Sequence, residues 1–189
     1  MPTIVLTVFA FAHLLSFLFF LGHKKLNYSH MRHTISELGE IGAPDRQLVA
    51  VGVFAPVGVI LLLIAYLSRS TAPESALLAL CISIGYLAAA AFPCDPGSPL
   101  SGTDRQAAHN LGGAVEYIGG AFALFRIAER FGQPFQTLGF IVLCVAIAIS
   151  LPFLSPVRGL IQRVGEFCLF GGLALALWHS GGGNLTIHS

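Results

Sequence analysis

Four side chains capable of acid–base or nucleophilic chemistry occur in polar segments of an otherwise apolar sequence. Ser36 and Glu37 belong to the segment YSHMRHTISELGE, and Asp95 and His109 flank the break between two apolar runs. A histidine beside a carboxylate suits general acid–base catalysis, and a nearby serine would supply a nucleophile. These four residues form the predicted catalytic set, although no nucleophile-elbow sequence surrounds Ser36. The stretch FPCDPG also fits a plain tight turn, which alone indicates no chemistry.

The same polar segments contain a possible site for a divalent metal. His30 and His33 are three residues apart, and Glu37 follows four residues later. Histidine and carboxylate groups at such spacings are common metal ligands. Interfacial histidines beside Lys and Arg are also common without any metal, so both interpretations stay open. The candidate ligands are His30, His33, Asp95 and His109.

A third polar group falls inside two apolar runs and predicts a substrate-binding wall. Glu116 lies about ten residues into its helix, roughly 15 Å deep at 1.5 Å per residue. A charge at such depth costs about 2.5–3.5 kcal/mol or more, so it marks a functional site by default. Glu116 could pair with Arg163, and Arg163 could pair with Glu166. Alternatively, such an ion pair inside the membrane would only fix the register of the two helices and have no role in binding. The candidate set is Glu116, Gln162, Arg163 and Glu166.

The composition indicates which elements position these residues. The chain has 189 residues, of which 55% are hydrophobic and 10% charged. Soluble domains average about 25% charged residues, so lipid must cover much of this surface. The net charge of +1 argues against a nucleic-acid partner. The four cysteines include no CxxC pair, so neither a zinc knuckle nor a disulfide framework is indicated.

Apolar runs of about 18 to 22 residues predict an all-α membrane protein, a compact bundle of six transmembrane helices in one domain, 1–189. The first run lacks a basic N-terminal region before it and a small-residue cleavage site, so we expect it to be retained. Thr103 and Gln106 have the spacing of a capping box. Pro56 should kink the second span. Glycines in the fourth and sixth spans favour tight packing of these two helices. The predicted spans are about 3–22, 47–67, 75–92, 106–128, 135–153 and 157–178.

Loop charges predict the orientation in the membrane. One side carries Lys24, Lys25, Arg32, Arg46, Arg105 and Arg158, and the other carries Arg69 and Arg130, with Arg126 close to it. The first side should be cytoplasmic, which puts both termini outside. The expected location is the inner (cytoplasmic) membrane of a prokaryote, N-out and C-out.

The ordered segments HTISELGEIGAPDRQ, FPCDPGSPLSG, His109 and GLIQRVGE resemble one family, the prokaryotic membrane family called Domain of Unknown Function nine-nine-eight. The resemblance runs from about Tyr28 to Trp178. It implies a six-helix bundle but supplies no reaction. The residues to which it gives a role are Ser36, Glu37, Leu38, Gly39, Pro93, Asp95, Gly97, His109, Gln162 and Arg163.

Four functions follow as hypotheses. The first is a module that binds membrane lipid or a partner subunit, or that forms a homo-oligomer, with a cytoplasm-facing polar site of Glu37, Asp95 and His109. The sharper alternative is an intramembrane hydrolase or transferase for a lipid-like substrate, with or without a metal. A b-type haem protein is a minor alternative, since His13, His109 and His179 lie at different depths. A transporter is less favoured, because no internal repeat is evident.

Overall fold

The computed structural model describes residues 1–182, and it folds these into long helices joined by short connections. Five helices are long and apolar enough to cross a membrane, and a sixth apolar helix is shorter. In chain order they are α1 (Pro2–Lys24), α2 (Arg46–Ser68), α3 (Pro73–Ala91), α4 (Asp104–Phe131), α5 (Phe135–Ile149) and α6 (Arg158–Gly182). Short 3-10 helices cover Ser36–Gly39 and Pro152–Val157.

Helix α5 is the short member of the bundle. Its 15 residues extend about 22 Å at 1.5 Å per residue, less than the roughly 30 Å of a hydrocarbon core. The sequence interpretation extended this span to residue 153. The helix ends at Ile149 because Pro152 follows closely, and a residue before proline is biased away from the α conformation. A 3-10 turn then leads into α6.

Proline also shapes α2, as the sequence led us to expect. Pro56 has no backbone N–H and therefore cannot bond to the carbonyl group of Gly52, four residues earlier. The residues Ala50–Phe54 form a π-helical turn at this point. The ring Nε2 of His13 lies 2.8 Å from the Gly52 oxygen, so α1 supplies the missing donor. The half-buried His13 of α1 thus helps to hold α1 and α2 together.

The outer surface of the bundle is strongly apolar. Large hydrophobic side chains such as Val5, Phe19, Phe122 and Phe140 are more than half exposed. Inside, α3 packs extensively against both α2 and α4, whereas the sequence had favoured the fourth and sixth spans as the tightest pair. One reason is the close approach at Gly58, where an added Cβ would lie 2.7 Å from Leu87. Exposed aliphatic surface of this extent needs lipid around it.

The connections 25–45, 92–103 and 150–157 lie at one end of the bundle and contact one another there. The backbone N–H of Ile41 donates to the carbonyl of Cys94 at 2.9 Å, and that of Leu160 donates to Met31 at 3.0 Å. Gly159 permits this contact, because a Cβ there would lie 2.3 Å from the carbonyl oxygen of His33. The polar segments of the sequence therefore form one continuous layer, named here the polar cap.

Candidate functional site

Ser36 and His109, which are 73 residues apart in sequence, meet at the inner surface of the polar cap. Ser36 begins the 3-10 turn Ser36–Gly39, and His109 lies in the second turn of α4. The Ser36 Oγ atom is 3.1 Å from His109 Nε2, and His109 Nδ1 is 2.9 Å from the carbonyl oxygen of Phe92. A carbonyl can only accept, so Nδ1 carries the hydrogen and Nε2 accepts the Ser36 hydroxyl. This tautomer is the one that a serine-activating base requires.

The Phe92 carbonyl takes the orienting place that a carboxylate has in a catalytic triad. Phe92 follows the last residue of α3, and Pro93 ends that helix. The final carbonyls of a helix have no partners within it, and they carry the negative end of the helix dipole. His109 therefore faces a partial negative charge, which stabilises the positive charge that forms on the ring when it accepts a proton.

A cavity of about 200 Å³ leads away from this pair into the bundle. Ser36 and His109 line one end of it, and Glu116 lines the inner end. Leu100 (60% exposed) and Ile118 (56% exposed) also line it, so the cavity opens to the outer surface beside α4. The wall that α5 contributes is Ala146, Ile149 and Ser150.

Asp95 bonds to the cap residue of α4 and does not contact His109. Its carboxylate accepts the backbone N–H of Thr103 at 2.9 Å, the Thr103 hydroxyl at 3.0 Å and the Arg105 guanidinium at 2.6 Å. Thr103 in turn accepts the backbone N–H of Gln106, as the capping-box spacing predicted. The Thr103 backbone N–H, more than its hydroxyl and Arg105, holds the pKa of Asp95 below its usual value. The expected Asp95–His109 contact is therefore absent, because nearer donors occupy the carboxylate.

Glu37 also has a structural partner. The residue is 5% exposed, and its carboxylate accepts the Thr34 N–H at 2.8 Å and an N–H of Arg158 Nη2 at 2.9 Å. Arg158 further donates to the carbonyls of Gly97 at 2.5 Å and Ser98 at 3.2 Å. Sequence reasoning used Arg158 only as a loop charge and missed this role. A signal existed, since the residue is a lone cation just before an apolar helix and beside the segment GLIQRVGE.

Arg163 holds the first connection against α6. Its guanidinium donates to the Tyr28 hydroxyl at 2.8 Å, to His30 Nδ1 at 3.0 Å and to the His33 carbonyl at 3.1 Å. His33 Nδ1 accepts the Ser29 N–H at 2.8 Å. Burial, and then the charge of Arg163, lowers the pKa of His30. Arg163 therefore does not pair with Glu116 or face the cavity wall predicted from sequence.

The four candidate metal ligands do not converge. Each has a different partner, and across residues 1–182 no three His, Cys, Asp or Glu side chains are placed to hold a metal ion. Among the described residues, the three histidines considered for haem do not form a matched pair of ligands either. His13 bonds to Gly52, His109 to Phe92, and the His179 ring packs on Phe131 and Phe135 at the other end of the bundle.

Two buried glutamates form a separate cluster near the cavity. Both oxygens of Glu166 accept tyrosine hydroxyls, Tyr117 at 2.6 Å and Tyr86 at 2.8 Å. Glu116 lines the cavity, and its Oε1 atom has no hydrogen-bond partner among the described residues. Gln162 also lines the cavity, and its Oε1 accepts the Ile35 N–H at 2.6 Å. Of the predicted substrate-binding set, Glu116 and Gln162 face the cavity directly.

Long apolar helices, a lipid-compatible exterior and a polar cap over a partly enclosed cavity define a helical integral membrane protein. No curated protein and no solved structure matches the chain. The chain belongs to the family described as Protein of unknown function (DUF998), whose model matches residues 6–179. The family resemblance of the sequence segments is thereby confirmed over nearly the whole chain.

Proposed function

We propose that the protein is a membrane-embedded serine hydrolase or acyltransferase that acts on a lipid-like acyl substrate. The observation that carries the proposal is the Ser36–His109 pair, with 3.1 Å between Oγ and Nε2 and with Nδ1 fixed by the Phe92 carbonyl. A nucleophile bonded to a base that a third group orients is the recognised arrangement for acyl transfer.

In the proposed reaction, Ser36 Oγ attacks the carbonyl carbon of the acyl group while His109 Nε2 takes the hydroxyl proton. The bond to the leaving alcohol breaks, and His109 returns the proton to that alcohol. Water or a second alcohol then attacks the acyl-serine and releases Ser36. Gln162 lines the cavity beside this pair and is the side chain we assign to contact the substrate near its carbonyl group.

The cavity favours a substrate that enters from the bilayer. Its apolar lining residues Leu100 and Ile118 reach the outer surface, and α5 ends at Ile149 close to the reactive pair. An acyl chain could therefore lie along α4 while its carbonyl reaches Ser36. A water-soluble ester would gain little from this apolar entrance.

The proposed topology has six membrane crossings, with α5 as the short one, and puts both termini outside. The loop charges support it, because the polar cap carries Lys24, Lys25, Arg105 and Arg158, among others. Ser36 would then lie at the cytoplasmic face of a prokaryotic inner membrane. A cysteine-accessibility map of the 69–72 and 25–45 connections in intact cells tests this orientation.

A fluorophosphonate probe tests the proposed function. Purified protein in nanodiscs should be labelled on Ser36, as located by peptide mass spectrometry. Ser36→Ala should abolish the label, and His109→Gln should slow labelling by about 10²–10⁴-fold, the usual contribution of a general base. Ser16→Ala is the matched control, since that hydroxyl bonds within α1 to Ala12. Labelling that is equal in Ser36→Ala and the control would refute the hydrolase.

A non-enzymatic module that binds lipid or a partner subunit is the second candidate. The observation that favours it is the tethering of the polar cap by Arg158 and Arg163, which rigidifies one end of the bundle. It predicts that Asp95→Asn and His109→Ala both lower the melting temperature and that no acyl-serine forms. Stable, correctly folded variants would count against the module.

A further inference from the structure

The inner end of the cavity contains a carboxylate oxygen that nothing in the described protein satisfies. Glu116 is 7% exposed and lines the cavity, and its Oε1 atom is buried without a hydrogen-bond partner within residues 1–182. An unpaired buried polar atom costs about 1–3 kcal/mol, and more when it is charged. Retention of such an atom beside a cavity indicates that a ligand supplies the partner.

The local backbone directs Glu116 to this place. Residues Val115–Gly119 form a π-helical turn within α4, a distortion that is frequent at functional sites. On the facing helix α3, an added Cβ at Gly85 would lie 2.2 Å from Glu116 Oε2. The carboxylate therefore fills the space that the glycine leaves, which fixes its position against the helix backbone.

A second buried glutamate, Glu166, makes the surroundings of Glu116 acidic. Glu166 lies close by, and both of its oxygens are already bonded to Tyr86 and Tyr117. Arg163, the cation nearest in sequence to Glu166, donates instead to the first connection. In the part of the chain that the structure describes, no Lys or Arg forms an ion pair with Glu116. The inner end thus attracts a positive group that can donate hydrogen bonds.

We propose that Glu116 binds the primary ammonium group of an amphiphilic ligand that occupies the cavity. Rotation of the Glu116 carboxyl group about χ3, a terminal torsion with a broad energy profile, would direct Oε1 to an N–H of the ammonium group. His109 and Glu116 are seven residues apart, or about 10 Å along α4. The ligand therefore carries its ammonium group about that far from the group that reaches Ser36.

This inference rests on the proposed function only where it makes the amine part of the Ser36 substrate. Binding at Glu116 needs no reaction, so it is measured in protein that carries Ser36→Ala. The hydrolase is judged separately, by fluorophosphonate labelling of the unmodified protein. If Ser36 is not labelled but the amine binds, the hydrolase alone is refuted. If Ser36 is labelled but the amine does not bind, the amine site alone is refuted.

The test measures binding of radiolabelled dodecylamine to the Ser36→Ala protein in nanodiscs, with protein-free nanodiscs subtracted. We expect saturable binding at one site and at least a tenfold loss of affinity in Glu116→Gln. Glu129→Gln is the matched control, because that side chain is 59% exposed and pairs with Arg126; its affinity should not change. Dodecyltrimethylammonium lacks N–H donors and dodecanol lacks charge, so both should compete at least tenfold less well than unlabelled dodecylamine.

A second variant blocks the cavity without altering any charge. Gly113 lines the cavity between His109 and Glu116, and an added Cβ would meet no atom within 4 Å. Gly113→Leu should therefore fold and reduce dodecylamine binding at least tenfold. Butylamine tests whether the ligand must be amphiphilic: weaker competition than that of dodecylamine would support an aminolipid, whereas equal competition would identify a small soluble amine and overturn the amphiphilic part of the proposal. Unchanged affinity in both Glu116→Gln and Gly113→Leu, or binding no greater than in empty nanodiscs, would overturn the proposal.

Discussion

Removal of the Arg158 guanidinium should destabilise the protein more than any other single change in the polar cap. The side chain is 18% exposed and its partner Glu37 is 7% exposed, so this ion pair is shielded from water. Arg158→Met keeps the apolar stem but leaves the Glu37 carboxylate buried beside its remaining donor, Thr34. Breaking a buried pair from one side costs about 3–5 kcal/mol.

The expected change in melting temperature follows from the size of the chain. For a domain of about 150–250 residues, 1 kcal/mol corresponds to roughly 2–4 °C. Arg158→Met should therefore lower the melting temperature by about 6–20 °C. Circular dichroism at 222 nm in one detergent and at one scan rate measures this, and the fixed scan rate matters because membrane proteins often unfold irreversibly.

Arg126→Met is the matched control for this experiment. Arg126 and Glu129 form a pair on the outer surface, with side chains 48% and 59% exposed. Such exposed pairs contribute about 0–1 kcal/mol, so the control should shift the melting temperature by at most about 4 °C. An equal effect of Arg126→Met and Arg158→Met would refute the reasoning.

A double variant separates the unpaired charge from the lost hydrogen bonds. If the cost of Arg158→Met comes mainly from the isolated Glu37 carboxylate, adding Glu37→Gln should recover part of the lost stability. The hydrogen bonds to Gly97 and Ser98 stay broken in both proteins. A double variant less stable than Arg158→Met would show that the carboxylate charge is not the dominant cost.

Three further predictions concern packing, pH and thiol reactivity. Gly113→Ala should stabilise the protein by about 1 kcal/mol, because alanine has a higher helix propensity than glycine and its methyl group would enter open space. Gly112→Ala should instead destabilise the protein by about 1–3 kcal/mol, because its methyl group would lie 2.3 Å from an alanine Cβ of α3. Equal melting temperatures of the two variants would contradict this. Burial and the charge of Arg163 lower the pKa of His30, so the folded protein favours the neutral ring. The resulting stability is fully present above the usual histidine pKa of about 6.5, and it is lost as the pH falls through the lower pKa of the folded state. The melting temperature should therefore drop between pH 7.5 and 5.5, and His30→Gln should show a smaller drop; an unchanged pH dependence would exclude His30. Burial raises the pKa of Cys94 to about 12, so mass spectrometry should find no maleimide adduct on this thiol at pH 8 until the protein unfolds, and rapid modification of the folded protein would contradict the structure.

Much of the architecture could be predicted from the sequence, because lipid imposes strong and local rules. A helix must satisfy its own backbone in hydrocarbon, so long apolar runs predict helices wherever they occur. Local capping chemistry was also readable, since Thr103 and Gln106 lie three residues apart and do form the predicted cap. The length of α5 was overestimated, because hydropathy does not register that Pro152 shortens a helix before the apolar run ends.

The sequence partly predicted which residues belong to the candidate site, but it did not predict which of them form hydrogen bonds with one another. Ser36, Asp95 and His109 were all predicted to lie at one end of the bundle, and the structure places Ser36 and Asp95 in the polar cap and His109 in the adjoining second turn of α4. Which of them meet depends on donors that no spacing rule identifies. Asp95 bonds to Thr103 and Arg105 at the start of α4, and that leaves His109 to Ser36.

The sequence by itself therefore determined that this protein is a helical membrane protein of the DUF998 family, with Ser36, Asp95 and His109 at one end of the bundle. Only the tertiary structure decided that Ser36 bonds to His109, that Arg158 instead of Arg163 pairs with a buried glutamate, and that a cavity leads from the pair to Glu116. The physical reason is the range of the interactions. Apolar burial in lipid and helix capping act over a few residues, whereas a side chain chooses its hydrogen-bond partner among groups that only the packed helices bring together.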